Sequence, residues 1–159
     1  MSKPLWHVKN ETRILGLDTC NPRIIIGAVV RGGLYLDGVV TFPKRMTTEL
    51  LSKSVLGTKY FPELRLIMVH DPKRALEIRT LQDATGLPVI TVRTAKTGQK
   101  LSRRRSPRAG AKLIARNKTL DSSSLEMVLR LTRTKGPLPE PVRVAHLLAK
   151  PRAAATLSR

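Results

Sequence analysis

Short, β-branched apolar segments crowd the first 92 residues of this chain and then stop, and that break constrains the fold more than any other feature. Residues 13–18 (RILGLD) are a short apolar run ending in an acid, and 23–31 (RIIIGAVVR) is β-branched and bounded by Pro22 and Gly32-Gly33. Both read as strands. The glycine pair suits a two-residue hairpin turn, which returns 34–41 (LYLDGVVT) antiparallel and makes a three-strand meander. Met46, Leu50, Leu51 and Leu56 recur at helical intervals over 46–56, and Gly57 is placed to end that helix. Residues 64–70 (LRLIMVH) read as a buried strand. Asp71-Pro72 then supplies an N-cap and a first-turn proline for a helix through Ala84 that buries Ala75, Ile78 and Leu81, before Gly86 stops it. Residues 87–92 (LPVITV) make a fifth strand.

Beyond Val92 the chain changes character. Residues 93–112 (RTAKTGQKLSRRRSPRAGAK) are crowded with Lys and Arg, contain no acid, and offer Leu101 as their sole large apolar side chain. Such a segment cannot build a core, so 93–106 reads as a basic linker ordered mainly on binding. Pro107 is expected to start a helix through about Asn117. A second helix over 123–134 is capped by Asp121 or Ser122, repeats Leu125, Val128, Leu129 and Thr132, and ends at Gly136-Pro137. The last helix, Pro141 to Lys150, places Val144, Leu147 and Leu148 on one face. The organisation is thus an N-terminal arm (1–12, with Trp6 and His7), a sheet core (13–92), the linker, C-terminal helices packing on the core (107–150), and a basic tail (151–159).

Charge sets the function classes. The 159 residues carry 30 Lys and Arg against 11 Asp and Glu, a net +19. Residues 1–92 hold 13 basic and 8 acidic side chains; residues 93–159 hold 17 basic and 3 acidic, namely Asp121, Glu126 and Glu140. So few acids cannot neutralise the second half internally, and a polyanion is the expected partner, its binding favoured by counterion release. No run of 18 apolar residues exists, and the second half contains no aromatic residue for an interfacial helix, so neither a membrane span nor a membrane surface is expected. One cysteine, Cys20, cannot form an internal disulfide and has no His or Lys close in sequence to activate it, so it reads as inert in a reducing, cytoplasmic setting. Aromatics are only 3% of the chain and none lies in the basic half, which favours phosphate and shape recognition over base stacking.

The nucleic-acid contacts predicted from the basic half are Lys96, Lys100, Arg103, Arg104, Arg105, Arg108, Lys112, Arg116, Lys118, Arg130, Arg133, Lys135 and Arg152. On the expected helix, positions 108, 112 and 116 would align three cations on one side. If seven such cations met phosphates, log K would fall with log salt at a slope of roughly −5 to −6.

Three antiparallel strands followed by helix, strand, helix, strand resemble the order of a ribonuclease H-like sheet. RILGLD (13–18), VVRGGLYLDGV (29–39), LRLIMV (64–69), LQDATGLPVITV (81–92) and above all GPLPEPVRVAHLLAK (136–150) resemble the archaeal endonuclease dU family, related to endonuclease V, over Arg13 to Lys150. The resemblance implies a ribonuclease H-like mixed five-stranded α/β sheet with flanking helices, here carrying a basic C-terminal helical extension. It also implies a nuclease in which strand-end carboxylates hold Mg²⁺ to activate water. Asp18 matches that family's leading acid. A second acid usually follows it in related sequences, and here Thr19 stands there. Counting back eight residues from Thr85 puts Glu77 at the family's later Asp, in a loop shortened to HDPKRA (70–75), with Asp71 as the alternative ligand and Lys73 and Arg74 competing for the carboxylates.

Ordinary roles compete for these residues. Asp18 can cap a turn, Asp37-Gly38 can be an exposed strand pair or bulge, and Glu77 can pair with Arg74 or Arg79. His146, among apolar neighbours, reads as a packing histidine rather than a general base. The expectation is therefore an RNA-binding protein that uses a nuclease-like fold without catalysis, without a cofactor, and as a component of a ribosomal subunit beside rRNA and neighbouring ribosomal proteins. The alternative is a Mg²⁺-dependent endonuclease with Asp18, Asp71 and Glu77 as ligands.

Overall fold

The computed structural model describes residues 8–95 and 112–150. Its strands are β1 (Arg13–Asp18), β2 (Ile24–Arg31), β3 (Tyr35–Pro43), β4 (Leu64–His70), β5 (Val89–Ala95) and β6 (Lys112–Arg116), and its α-helices are α1 (Thr48–Leu56), α2 (Ile78–Thr85), α3 (Ser122–Thr132) and α4 (Glu140–Ala149). They form one six-stranded mixed sheet in the order β3-β2-β1-β4-β5-β6, with β1, β4 and β5 parallel and the other neighbours antiparallel.

Strand alternation sorts the core into two layers. Leu15, Leu17, Ile67 and Val69 point to one face, where Leu51 and Val55 of α1 and Leu81 of α2 cover them. Ile14, Leu66, Met68, Ile90 and Val92 point to the other, against Val128 of α3 and Val142 of α4, and Ile26, Ala28 and Val30 meet Ala145 and Ala149 of α4. The helix α4 lies very close to β1. A Cβ on Gly16 would stand 2.2 Å from the backbone carbon and oxygen of Pro141, so only glycine admits that approach.

Several expectations are corrected. The sheet has six strands rather than five, because the stretch expected as a helix from Pro107 supplies β6, with Thr91 opposite Arg116 and Ala95 opposite Lys112. The exposed backbone groups of β5 template that pairing, which local propensity could not foresee. Arg116 therefore sits at the end of a strand rather than on the helical turn expected for positions 108, 112 and 116. The helix expected from Pro72 begins at Ile78. Asp71 accepts a hydrogen bond from the Leu76 backbone N–H at 2.7 Å, and Arg74 at φ +53° interrupts helical geometry, so Leu76 rather than Ala75 is buried. Gly32, at φ +58°, opens a three-residue connection in which Arg31 pairs with Tyr35, longer than the predicted turn. On α4 the buried face is Pro141, Val142, Ala145 and Ala149, while Leu147 and Leu148 are exposed. Among the described residues no helix is long and apolar enough to cross a membrane.

Candidate functional site

The carboxyl ends of β1 and β4, the two central parallel strands, bring Asp18 and His70 into direct register. Both occupy the strand positions that face α4, in line with Ile14 and Gly16 on β1 and with Leu66 and Met68 on β4. Residue 146 stands one helical turn after Val142, so its side chain falls over the same strand ends.

Asp18 is completely buried. Its Oδ2 lies 2.7 Å from His70 Nδ1 and 2.9 Å from His146 Nδ1, and its Oδ1 accepts from the Cys20 backbone N–H at 2.8 Å. An ionised carboxylate can only accept, so both ring Nδ1 atoms carry the hydrogen in this arrangement. Burial pushes the Asp18 carboxyl up, but the His70 contact, the Cys20 N–H and the His146 contact outweigh it and hold the group below its ordinary value. The two imidazoles meet edge to face, with ring centroids 5.0 Å apart. Cys20 Sγ stands 3.7 Å from His70 Nδ1. Cys20 as a whole residue is exposed, yet partial burial of its sulfur, followed by the Asp18 charge, pushes the thiol up to about 11.

The surrounding shell is tied down. Thr19 Oγ1 donates to Asp71 Oδ1 at 2.7 Å, Lys44 Nζ donates to the Thr19 carbonyl, and Asn21 Nδ2 donates to the Ala149 carbonyl at 2.9 Å, anchoring the β1–β2 loop to the end of α4.

Of the three acids expected as ligands, Asp18 alone belongs to this cluster. Both Asp71 oxygens accept hydrogen bonds within its own neighbourhood, from Thr19 and Leu76. Glu77 is exposed at the start of α2, its backbone N–H held by Thr48 Oγ1. Asp37 is structural: it takes Arg13 Nε at 2.8 Å and Arg31 Nε at 2.9 Å. His146, expected as a packing residue, is instead a polar member of the site. Alternation along β4 put His70 on the Asp18 face, a signal legible in the sequence; the arrival of His146 was not.

The endonuclease resemblance implies Mg²⁺, and the donors around Asp18 do not fit it. That ion takes close to six oxygen ligands at about 2.0–2.1 Å. Around Asp18 the remaining donors are two imidazole nitrogens and a thiol, and the carboxylate is already engaged by three donors from the protein.

The predicted cationic contacts divide similarly. Arg116, Lys118, Arg130, Arg133 and Lys135 are exposed, although Arg130 pairs with Glu126 at 3.3 Å. Arg116 and Lys118 line a cleft of about 910 Å³ between α2, β5, β6 and the start of α3, which Arg79 and Asp83 also border. Lys112 opens β6. Lys96, Lys100, Arg103, Arg104, Arg105, Arg108 and Arg152, like Trp6 and His7, lie outside the described residues.

The architecture recurs in a crystal structure of a protein of unknown function from Archaeoglobus fulgidus DSM 4304, which matches with TM-score 0.68 and 23% identity over 87% of this chain and 96% of that one. It also recurs in Marinitoga piezophila Argonaute in complex with 5′ OH guide RNA, with TM-score 0.63 and 12% identity over 91% of this chain and 30% of the larger one. The protein is a mixed α/β molecule of the ribonuclease H-like class. No protein-family model matches the chain. Sequence relatives are UPF0215 proteins of archaea: one from Methanopyrus kandleri is 30% identical over 91% of this chain and 93% of its own length, and one from Methanothermobacter thermautotrophicus is 30% identical over 89% and 88%. A third, from Methanosarcina acetivorans, is 28% identical over 91% and 92%. The chain belongs to the UPF0215 family.

Proposed function

We propose that this protein binds structured RNA through its basic surface, as a ribosome-associated component, and does not cleave nucleic acid. The observation that carries the non-catalytic part is the tied-up state of the strand-end carboxylates. Asp18 accepts three hydrogen bonds from within the protein, and the two Asp71 oxygens accept from Thr19 in the loop after β1 and from the Leu76 backbone. A two-metal nuclease needs carboxylates from neighbouring strands open to hard cations about 3.5–4 Å apart. The likeness to endonuclease dU and endonuclease V is then one of ancestry and fold.

The RNA part rests on charge. Residues 93–159 carry 17 cations against 3 acids, and of those acids Glu126 and Glu140 already pair with Arg130 and Arg143, while Asp121 caps α3. Arg116, Lys118, Arg133 and Lys135 stay available at the surface for phosphates. The Argonaute of similar fold is itself seen with guide RNA.

Sedimentation of a native lysate through sucrose at low and raised salt, followed by mass spectrometry, tests this. Stoichiometric migration with one ribosomal subunit that survives moderate salt is the expected result. Migration as a small species, combined with Mg²⁺-dependent cleavage lost in Asp18→Asn, would replace this reading with a Mg²⁺-dependent endonuclease.

A further inference from the structure

We propose that Asp18, Cys20, His70 and His146 form a tetrahedral site for a divalent transition metal of the zinc class, which staples α4 to the ends of β1 and β4. It shares Asp18 with the non-catalytic part of the reading above, because a bound ion would replace the His70 and His146 hydrogen bonds and still keep that carboxylate from Mg²⁺; RNA binding by the basic surface can fail without it.

Geometry and donor chemistry carry it. The four side chains each offer one ligand atom, and these atoms all lie within 4.8 Å of one another. Zinc bond lengths to oxygen, nitrogen and sulfur imply donor separations of about 3.3–3.6 Å around a tetrahedron. Asp18 Oδ2 stands 2.7 and 2.9 Å from the two ring nitrogens, and Cys20 Sγ stands 3.7 Å from that of His70. Opening the two shorter contacts by about half an ångström brings those pairs to coordination spacing, and the wider pairs close inward from within 4.8 Å. The rings are near-perpendicular, at 79°, and both turn Nδ1 toward Asp18 Oδ2.

Charge also balances. On binding, each imidazole moves its hydrogen from Nδ1 to Nε2, and the Cys20 thiol releases one proton to solvent. One carboxylate and one thiolate then neutralise the dication. Imidazole and thiolate ligands select a borderline-soft ion over Mg²⁺. Four protein donors leave no open position, the pattern of a structural rather than a hydrolytic site. Its ligands come from the end of β1, the loop after it, the end of β4 and α4, so the ion would add a fixed link to a helix otherwise held by the packing of Pro141, Val142, Ala145 and Ala149 and by the Asn21–Ala149 hydrogen bond.

The test uses the full chain stripped of nucleic acid at high salt and of metal by a chelator, then titrated with Co²⁺ and Zn²⁺. One equivalent of Co²⁺ should give the intense visible absorption of a tetrahedral ion and a near-ultraviolet thiolate charge-transfer band. One equivalent of Zn²⁺ should bleach both, and a large excess of Mg²⁺ should not. In Cys20→Ser the charge-transfer band should vanish and Zn²⁺ affinity should fall at least tenfold, and His146→Ala should show a similar loss of affinity. Cys20 is exposed and His146 only partly buried, so circular dichroism should confirm that both variants stay folded. Absence of stoichiometric binding, a pale octahedral Co²⁺ spectrum unchanged in Cys20→Ser, or displacement of Co²⁺ by Mg²⁺ would overturn the assignment and leave a purely hydrogen-bonded cluster.

Discussion

Asp18 and His146 lie 128 positions apart, yet Nδ1 of the histidine sits 2.9 Å from Oδ2 of a carboxylate that has no solvent exposure. This contact joins the first strand to the last helix and makes Asp18 the hub of a buried polar cluster. Replacing Asp18 by Asn puts an amide donor or a poorer acceptor opposite two ring N–H groups. The expected cost is about 2 kcal/mol at neutral pH, the range for hydrogen bonds to a charged group, measured by urea unfolding of the two proteins.

The same residue sets an acid limb of stability. Its folded-state carboxyl is held below the ordinary value, with His70, the Cys20 N–H and His146 overcoming burial. A lowered carboxyl contributes stability that is complete above its unfolded value, near 4, and is lost as pH falls through the folded one. The stability gap between wild type and Asp18→Asn should therefore narrow below about pH 4. Glu140, lowered first by its hydrogen bonds from Arg143, should add a smaller slope in the same direction, visible in Glu140→Gln. A gap that widens on acidification would contradict this assignment.

Gly16→Ala should be among the most damaging single changes. The new methyl would press on the Pro141 backbone, which cannot swing aside as a flexible side chain would. The expected loss is about 3 kcal/mol, the upper end for overpacking. Hydrogen exchange should show α4 opening first, and α1, packed on the opposite face, should keep its protection.

Asp37 joins Arg13 of β1 to Arg31 of β2 from its place on β3. Asp37→Asn should cost about 1 kcal/mol, as for a partly exposed ion-pair network, and most of that should disappear in high salt. Its binding of RNA should be unchanged.

Reversing Arg116 and Lys118 together to Glu should weaken binding to a structured rRNA fragment and flatten the salt dependence by about 1.4–1.8 units of slope, the contribution of two phosphate contacts. Filter binding across a salt series reads both numbers. An unchanged slope would remove this edge of the sheet from the interface.

Much of the fold was legible because it rests on local rules. The short apolar run at 14–17, the β-branched run of 24–30 and the run at 64–70 carry strand character in themselves, so β1 and β4 begin and end where the sequence placed them. Asp121 caps α3 through Ser124, and Gly86 ends α2 at φ +68°, both from side-chain or backbone chemistry confined to a few residues. The polycationic second half is likewise a property of composition alone.

Tertiary structure decided the rest, because the energies involved come from partners far away in the chain. Residues 112–116 pair with the open edge of β5 although their spacing also suited a helix. Asp71 turns toward Thr19 and Leu76 instead of capping a helix at Pro72. The close approach of α4 at Gly16 carries His146 onto Asp18, and neither residue type nor spacing announces a hydrogen bond across 128 positions.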